Sequence, residues 1–346
     1  MSEATPKLLD PREAYEALRK ADQELETRYP ILKHQDAIGL TIHLVSAAGI
    51  VANAVLYFKG VLPGWLVFFA NTILASLLHE LEHDLIHSQY FKKSAAMRNF
   101  MEGVIWAFNG NTINPWYRRK LHLLHHKESG QNIDIEERLL GNGMPWGLRR
   151  FLITVDNTFV PFLLLKRLFK EIPQFESKEF FRSRLPVGFM YTATWLSCVA
   201  LTVSMLSGHT DAFHSQYGSM ISFLMVVLMG PNMLRQTTLA FVSSNCHYFG
   251  VERMNLRQQG QIINSWLFAP LNFFCFNFGS THIIHHYYVA QTFYRRQMFA
   301  REAHEILRKA GVRFNDLNSM AYANAWIEPQ GAQPQAVQET LAQEAV

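Results

Sequence analysis

Four long apolar stretches constrain the fold of this chain more than any other feature. They cover residues 38–58, 61–78, 187–207 and 217–242. A helix of about 20 apolar residues is long enough to cross a bilayer. Because lipid offers no hydrogen-bond partners, a crossing segment must also pair its own backbone groups. The sequence therefore predicts an all-α integral membrane protein with about four transmembrane helices.

The composition agrees with a membrane protein that also has a polar part. Hydrophobic residues make up 49% of the chain and charged residues 17%, against about 25% charged in a soluble domain. The net charge of +4 gives no argument for a nucleic-acid partner. We expect one domain over residues 1–327, in which a cytosolic helical cap joins the membrane helices. Residues 11–28 predict a solvated helix, and the tail 328–346 is expected to be disordered.

The distribution of basic residues predicts the orientation in the membrane. Lys59 is the only basic residue in the turn between the first two apolar stretches, and residues 209–216 contain no Lys or Arg. Basic residues are frequent over 88–186. Short loops rich in Lys and Arg face the cytoplasm. Both termini and the region 88–186 are therefore predicted to be cytoplasmic. Apolar patches at 99–108 and 151–165 are expected to form helices that lie on the membrane.

Three clusters of histidine follow the apolar stretches. They are His79, His83 and His87; His122, His125 and His126; and His282, His285 and His286. On an α-helix, residues four apart share a face. The middle histidine of an H-x-x-H-H cluster is rotated by about 100° and can reach a second metal ion. Neutral imidazole is a common ligand for transition metals. The second and third clusters, which have the H-x-x-H-H spacing, can therefore each provide ligands for two metal ions.

Isolated histidines and chance motifs are weaker signals. A lone histidine such as His304 is expected to be hydrogen-bonded within a polar core. The spacing of His79, Glu80 and His83 also occurs in zinc proteases, but no third zinc ligand or soluble cleft is apparent in this sequence. We therefore favour a metal centre that is shared by all three clusters, with its histidines on one side of the membrane.

The three clusters, their order and the apolar runs between them resemble the membrane fatty acid desaturase and hydroxylase superfamily, over about residues 38–300. Members of that superfamily hold two irons in a histidine cage. The resemblance implies that the metal ligands come from His79, His83, His87, His122, His125, His126, His247, His282, His285 and His286. His83 belongs to an H-E-x-x-H motif with His79 and to an H-D-x-x-H motif with His87, and the sequence leaves open which of these two joins it.

His247 enters this set through a local match. The segment Asn245-Cys246-His247-Tyr248-Phe249-Gly250 resembles the lone histidine that precedes the third cluster in the family. Stearoyl-type desaturases carry an asparagine four residues before that histidine, where this chain has Ser243. The surroundings of one iron therefore depart from that pattern.

Charged residues beside the clusters suggest supporting roles. Glu80, Asp84 and Asp134 are expected to hydrogen-bond the far ring nitrogens of metal-bound histidines, which fixes the tautomer. Arg118, Arg119 and Lys120 come shortly before His122 and are candidates for contact with a carboxylate or phosphate head group of the substrate.

The resemblance implies a reaction class rather than one reaction. It implies two iron ions (Fe2+/Fe3+), O2, a fatty acyl substrate and membrane lipid around the protein. The chain has no flavin or dinucleotide fingerprint, so a separate electron donor such as a ferredoxin, rubredoxin or cytochrome is expected. The cluster spacings favour desaturation, while hydroxylation of a fatty acid or alkane and oxidative decarboxylation to a terminal alkene remain alternatives. A metal-binding membrane transporter is the alternative from a different class.

Overall fold

The computed structural model of the chain describes residues 8–110, 113–156, 166–170, 172, 175–208, 212–250 and 256–327. The expected tail at 328–346, and residues 157–165 of one expected surface helix, lie outside the described residues.

The described structure consists mainly of helices. The α-helices are α1 (Pro11–Arg28), α2 (Gln35–Phe58), α3 (Gly64–Ile86), α4 (Ala95–Asn109), α5 (Pro115–Glu128), α6 (Ile135–Leu139), α7 (Leu148–Val155), α8 (Ser177–Arg182), α9 (Val187–Leu206), α10 (Ala212–Leu224), α11 (Gly230–Cys246), α12 (Leu256–Gln259), α13 (Ala269–Phe274), α14 (Phe278–Tyr287), α15 (Phe293–Lys309) and α16 (Leu317–Ala321). A π-helical turn, Met225–Met229, joins α10 to α11, and short 3-10 turns occupy Pro30–Lys33 and Trp266–Phe268. Strands β1 (Gln261–Ile262) and β2 (Arg313–Phe314) pair in parallel.

Within the described residues, four helices are long and apolar enough to cross a membrane. They are Gln35–Phe58, Gly64–Ile86, Val187–Leu206 and Gln216–Cys246. The last one combines most of α10 with the π-helical turn and α11. The predicted all-α fold with four membrane helices is thus confirmed.

Pro231 lies near the start of α11 and does not break the fourth membrane helix. Proline has no N–H, so the carbonyl of Val227, four residues earlier, loses its helical partner. The side-chain amide of Asn71 in α3 donates to the Val227 carbonyl over 2.8 Å. The amide of Asn53 in α2 donates to Asn71 over 2.8 Å. These two hydrogen bonds connect α2 and α3 to the irregular π-helical turn of the fourth membrane helix.

Helix α3 lies at the centre of the fold. It packs against α2, α4, α11 and the π-helical turn. All residues from Leu78 to Ile86 at its C-terminal end are buried. The first histidine cluster is therefore enclosed by other helices instead of projecting into solvent.

The N-terminal helix α1 begins at Pro11 as expected, but the expectation that it is solvated is wrong for one of its faces. Ala14, Leu18 and Leu25 are buried in a core cluster with residues of α14 and α15. On the same face, both oxygens of Asp22 accept hydrogen bonds from Arg295 of α15, at 2.8 and 3.0 Å. Spacings of three and four residues place these side chains on one side of the helix, so the charged face alone remains exposed.

Candidate metal centre

Nine histidines from four parts of the chain converge on two groups. The groups are His83, His87, His122, His126 and His285 (group one) and His125, His247, His282 and His286 (group two). Within each group, the nitrogens that can bind a metal all lie within 4.8 Å of one another. The ends of two membrane helices contribute directly: α3 ends before His87, and α11 ends before His247. Helices α5 and α14 supply the other residues.

The two H-x-x-H-H clusters cross between the groups. In α5, His122 and His126 belong to group one and His125 belongs to group two. Helix α14 reverses the pattern, because His285 belongs to group one while His282 and His286 belong to group two. This is the geometry that the helical rotation of about 100° per residue requires. Each of the two helices therefore holds both groups in place.

The spacing of the ring nitrogens suits metal ions. The Nε2 atom of His285 lies 3.1 Å from Nε2 of His87 and 3.1 Å from Nε2 of His126. In group two, Nε2 of His282 lies 3.0 Å from Nε2 of His247. Two ligands bound to one ion at about 2.1 Å are roughly 3.0 Å apart at right angles and roughly 3.4 Å apart in a tetrahedron. The donor sets therefore fit one ion in each group.

His83 and His79 differ in their surroundings. Among the described residues, neither ring nitrogen of His83 has a hydrogen-bond partner, and its ring centroid lies 4.4 Å from that of His285. His79 is placed outside both groups of the described chain. Its Nε2 atom lies 3.4 Å from Nη2 of Arg118. The geometry therefore places His83 with His87 in group one and leaves His79 outside both groups.

Carboxylates position two of the histidines in α5. The Nδ1 atom of His125 donates to Oδ2 of Asp134 over 2.8 Å, and Nδ1 of His122 donates to Oε2 of Glu136 over 2.8 Å. With Nδ1 protonated, the Nε2 lone pair of each ring faces its group, which is the tautomer that a metal ligand needs. Asp134 thus lies where the sequence analysis expected it.

Glu80 and Asp84 do not contact the histidines in the way that the sequence suggested. Oδ1 of Asp84 lies 3.8 Å from Nδ1 of His83, which is too far for a hydrogen bond. Instead, Arg296 donates to Asp84 over 3.2 Å and lies 3.7 Å from a carboxylate oxygen of Glu80. This part of the expectation is corrected: these two carboxylates bind an arginine.

Arg296 is a buried residue of the site that the sequence analysis missed. Its side chain is 2% exposed. Its Nη1 atom lies 3.0 Å from Nδ1 of His285 and donates to the carbonyl of Gln291 over 2.9 Å. The arginine therefore connects the carboxylates of the first histidine cluster with a histidine of the third.

The three basic residues before His122 point in different directions. Arg118 pairs with the buried Glu82. Arg119 pairs with Glu102 at 2.7 Å, and Lys120 pairs with Glu179 at 2.7 Å on the surface. Of the three, Arg118 alone lines the cavity described next. The expectation of a head-group contact therefore finds no support for Arg119 and Lys120.

A cavity of about 170 Å³ adjoins both histidine groups. His83 and His122 of group one and His125 and His282 of group two form part of its wall. Much of the remaining wall is apolar and includes Leu121, Leu139, Val155, Trp195, Met229, Met233 and Leu239. An apolar molecule in this cavity would lie directly against both histidine groups.

Metal binding to group two is expected to depend more strongly on pH than binding to group one. Burial lowers the pKa of His125, but the carboxylates of Asp134, Glu136 and Glu137, with Asp134 contributing most, together outweigh burial and raise the pKa to about 9. Burial lowers the pKa values of His126 and His285 in group one. At neutral pH a metal must therefore displace a proton from His125, and each pH unit below that pKa weakens binding by about tenfold. Titrating Co2+ into metal-free protein at about pH 9 and about pH 6 measures both affinities.

The variant Asp134→Asn tests the origin of this pH dependence. Without the carboxylate, the pKa of His125 falls, so binding to group two should vary less with pH. Glu179→Gln on the surface is the matched control and should leave both affinities unchanged. Equal pH dependence of the two cobalt ions in the unmodified protein contradicts the prediction.

Membrane helices and two histidine groups that could each hold a metal ion define a class of membrane proteins with a histidine-rich site. The family model for fatty acid desaturase matches residues 59–318, most of the chain. The chain belongs to the fatty acid desaturase family, which comprises membrane oxidoreductases that act on fatty acyl chains. No curated protein and no solved structure matches the chain significantly.

Proposed function

We propose that the protein introduces a double bond into a fatty acyl chain, using O2 and electrons from a separate donor. The observation that carries this proposal is the pair of crossed histidine groups beside an apolar cavity. In the proposed reaction, the substrate loses two hydrogens and O2 is reduced to two waters with two further electrons and two protons. Two iron ions, one in each group, are the proposed cofactors, and when bound they supply the oxidising power for an unactivated C–H bond.

The protein's own residues prepare the site. Asp134 and Glu136 hold the Nδ1 protons of His125 and His122, so the metal-binding nitrogens keep a fixed direction. The apolar wall with Leu121, Val155 and Leu239 excludes water and aligns an acyl chain against the histidines. Positioning of the reacting carbon then decides which product forms.

A cytoplasmic site and a protein electron donor belong to the same proposal. The exposed Lys92 and Lys93 follow His87 closely in the chain. An acidic ferredoxin, rubredoxin or cytochrome would approach such a surface faster, because complementary charges speed encounter. Anionic lipid head groups on the cytoplasmic side are attracted by the same basic residues.

Product analysis tests the reaction. Membranes that contain the protein are incubated with ferredoxin, ferredoxin reductase, O2 and deuterated fatty acids, and the products are identified by mass spectrometry. We expect loss of two hydrogens from the chain. Gain of an oxygen atom indicates hydroxylation, and an alkene one carbon shorter indicates decarboxylation; either result replaces desaturation as the reaction.

The metal content of the purified protein tests the alternative that it is a metal-binding membrane transporter. An oxidoreductase is expected to hold iron tightly in purified protein and to give oxidised lipid. A transporter would hold labile zinc or copper and would move it into sealed vesicles. Vesicle uptake without any oxidised lipid contradicts the proposed function.

A further inference from the structure

The cavity beside the histidine groups has a polar wall that the metal centre does not explain. Arg235 of α11 and Arg118 of α5 both line it. Arg235 is 2% exposed. Its Nη2 atom donates to the carbonyl of Asn109 over 3.0 Å, and its Nε atom donates to Oδ1 of Asn232 over 3.3 Å. These hydrogen bonds fix the guanidinium group at the cavity wall.

Asn109 gives the second, independent sign of a ligand. Its side chain is 1% exposed and lines the same cavity. Among the described residues, neither Nδ2 nor Oδ1 of this amide has a hydrogen-bond partner. Buried amides are normally hydrogen-bonded, because an unsatisfied donor loses its hydration without compensation. A polar group of a bound molecule would supply the missing partner.

The carboxylates near this wall are already paired with other residues of the protein. Arg118 pairs with Glu82, which also interacts electrostatically with Arg235. The carboxylates of Glu136 and Glu137 reach the cavity too, but Glu136 accepts from His122 and Glu137 accepts from Ser243 and Asn142. The acidic groups are thus engaged with other residues of the described chain. Arg118 and Arg235 place positive charge at the cavity wall, and the Asn109 amide offers an N–H donor to a ligand in the cavity.

We infer that Arg235, Arg118 and Asn109 bind the carboxylate of a free fatty acid. A carboxylate only accepts hydrogen bonds, and guanidinium groups are its best-matched donors in proteins. This inference rests on the proposed function for the acyl chain and adds the head group: the substrate is the free acid, rather than an ester or thioester. The aliphatic part of the molecule occupies the apolar wall near Trp195 and Met233.

The position of this carboxylate site limits where the chain can react. Nη2 of Arg118 lies 3.4 Å from Nε2 of His79, and His79 lies one helical turn from His83 of group one. The acid end is therefore anchored close to the metal-binding groups. The reacting carbon is set by its distance from the carboxylate, not by its distance from the methyl end.

Binding measurements test the inference without turnover. Purified full-length protein in nanodiscs is titrated with dodecanoate and, separately, with methyl dodecanoate, above the pKa of the acid. We expect the acid to bind at least about tenfold more tightly, which corresponds to a hydrogen-bonded charge in a buried site. Equal affinity of acid and ester in the unmodified protein overturns the inference.

Two variants locate the effect. Arg235→Gln should reduce the affinity for dodecanoate to nearly that for the ester and leave the ester unchanged, and Arg235→Lys should recover part of the loss. Lys120→Gln on the surface is the control and should leave both affinities unchanged. If Arg235→Gln does not fold, as judged by metal content and melting, Asn109→Leu replaces it and should weaken the acid selectively. Equal weakening of acid and ester by a folded Arg235 or Asn109 variant contradicts the assignment.

The carboxylate site and the proposed reaction can fail independently of each other in these experiments. Selective binding of dodecanoate without any oxidised product leaves the carboxylate site in place and removes the proposed reaction. Oxidised product from an ester, together with equal affinity for acid and ester, supports the reaction and removes the carboxylate site.

Discussion

Replacing His285 with alanine is expected to remove one of the two proposed irons from the purified protein and to abolish detectable lipid oxidation. Nε2 of His285 lies 3.1 Å from the corresponding atoms of His87 and His126, so its loss opens group one. His286, the next residue in the chain, belongs to group two, and its replacement should remove the other iron. Iron per chain is measured by mass spectrometry of the purified protein, and activity by the product assay.

Double variants distinguish crossed groups from a site built cluster by cluster. His122 and His285 come from different clusters but from the same group, so replacing both should still leave about one iron in group two. Replacing His125 together with His285 affects both groups and should leave almost none. Retention of about one iron by the second double variant, and of none by the first, contradicts the crossed arrangement.

Two histidines outside the groups serve as controls. His304 lies within hydrogen-bond distance of the carbonyl of Ser280, with Nε2 at 2.8 Å, and His79 faces Arg118. Alanine at either position should leave two irons per chain. If His79→Ala removes an iron while His87→Ala does not, the ligand in the first cluster is His79, and the placement of His87 in group one is wrong.

The membrane helices and the crossing of the groups were accessible from sequence because each depends on local geometry. Apolar stretches of sufficient length determine the helices, since lipid allows few other backbone structures. The rotation between His125 and its neighbours His122 and His126 is fixed by the helix itself. Whether His79 or His87 joins His83 could not be predicted in this way. His79 and His83 lie on one face of α3, and His87 follows directly after its last residue. The choice depends on where the histidines of α5 and α14 lie in the fold.

The contacts of the charged residues next to the histidines were also hard to predict from sequence. A residue that directly follows a histidine on a helix points about 100° away from it. Glu80 and Asp84 therefore cannot reach the rings next to them, whereas Asp134 comes from the start of another helix and can. The same rotation sends Arg118, Arg119 and Lys120 to three different partners. Adjacency in sequence was thus a poor guide to contact.

Arg296 was missed for a related reason. It lies in a helix with several other basic residues, which resembles a solvated face. In the fold, both Asp84 and Glu80 face it from α3, and these carboxylates are 0% and 2% exposed. Only the packing of α15 against α3 reveals this contact, and the packing depends on residues distant in sequence.

Replacing Arg296 with methionine is expected to lower the free energy of unfolding by about 3–5 kcal/mol, because it leaves buried carboxylates without their cation. Asp84 loses the hydrogen bond of 3.2 Å from the guanidinium group, and His285 loses the neighbour at its Nδ1 atom. Unfolding of the purified protein by denaturant in mixed micelles, followed by circular dichroism, measures the change. Arg301→Met, at an exposed position of the same helix, is the matched control and should change stability by less than about 0.5 kcal/mol.

The double variant Arg296→Met with Asp84→Asn separates the buried charge from the loss of packing. Removing both partners of a buried ion pair is usually less harmful than removing one, since no uncompensated charge remains. The double variant should therefore be more stable than Arg296→Met alone, although Glu80, 3.7 Å from the arginine in the unmodified protein, limits the recovery. If the double variant is destabilised by the sum of the two single effects, Arg296 acts through its packing and not as the counter-ion of Asp84.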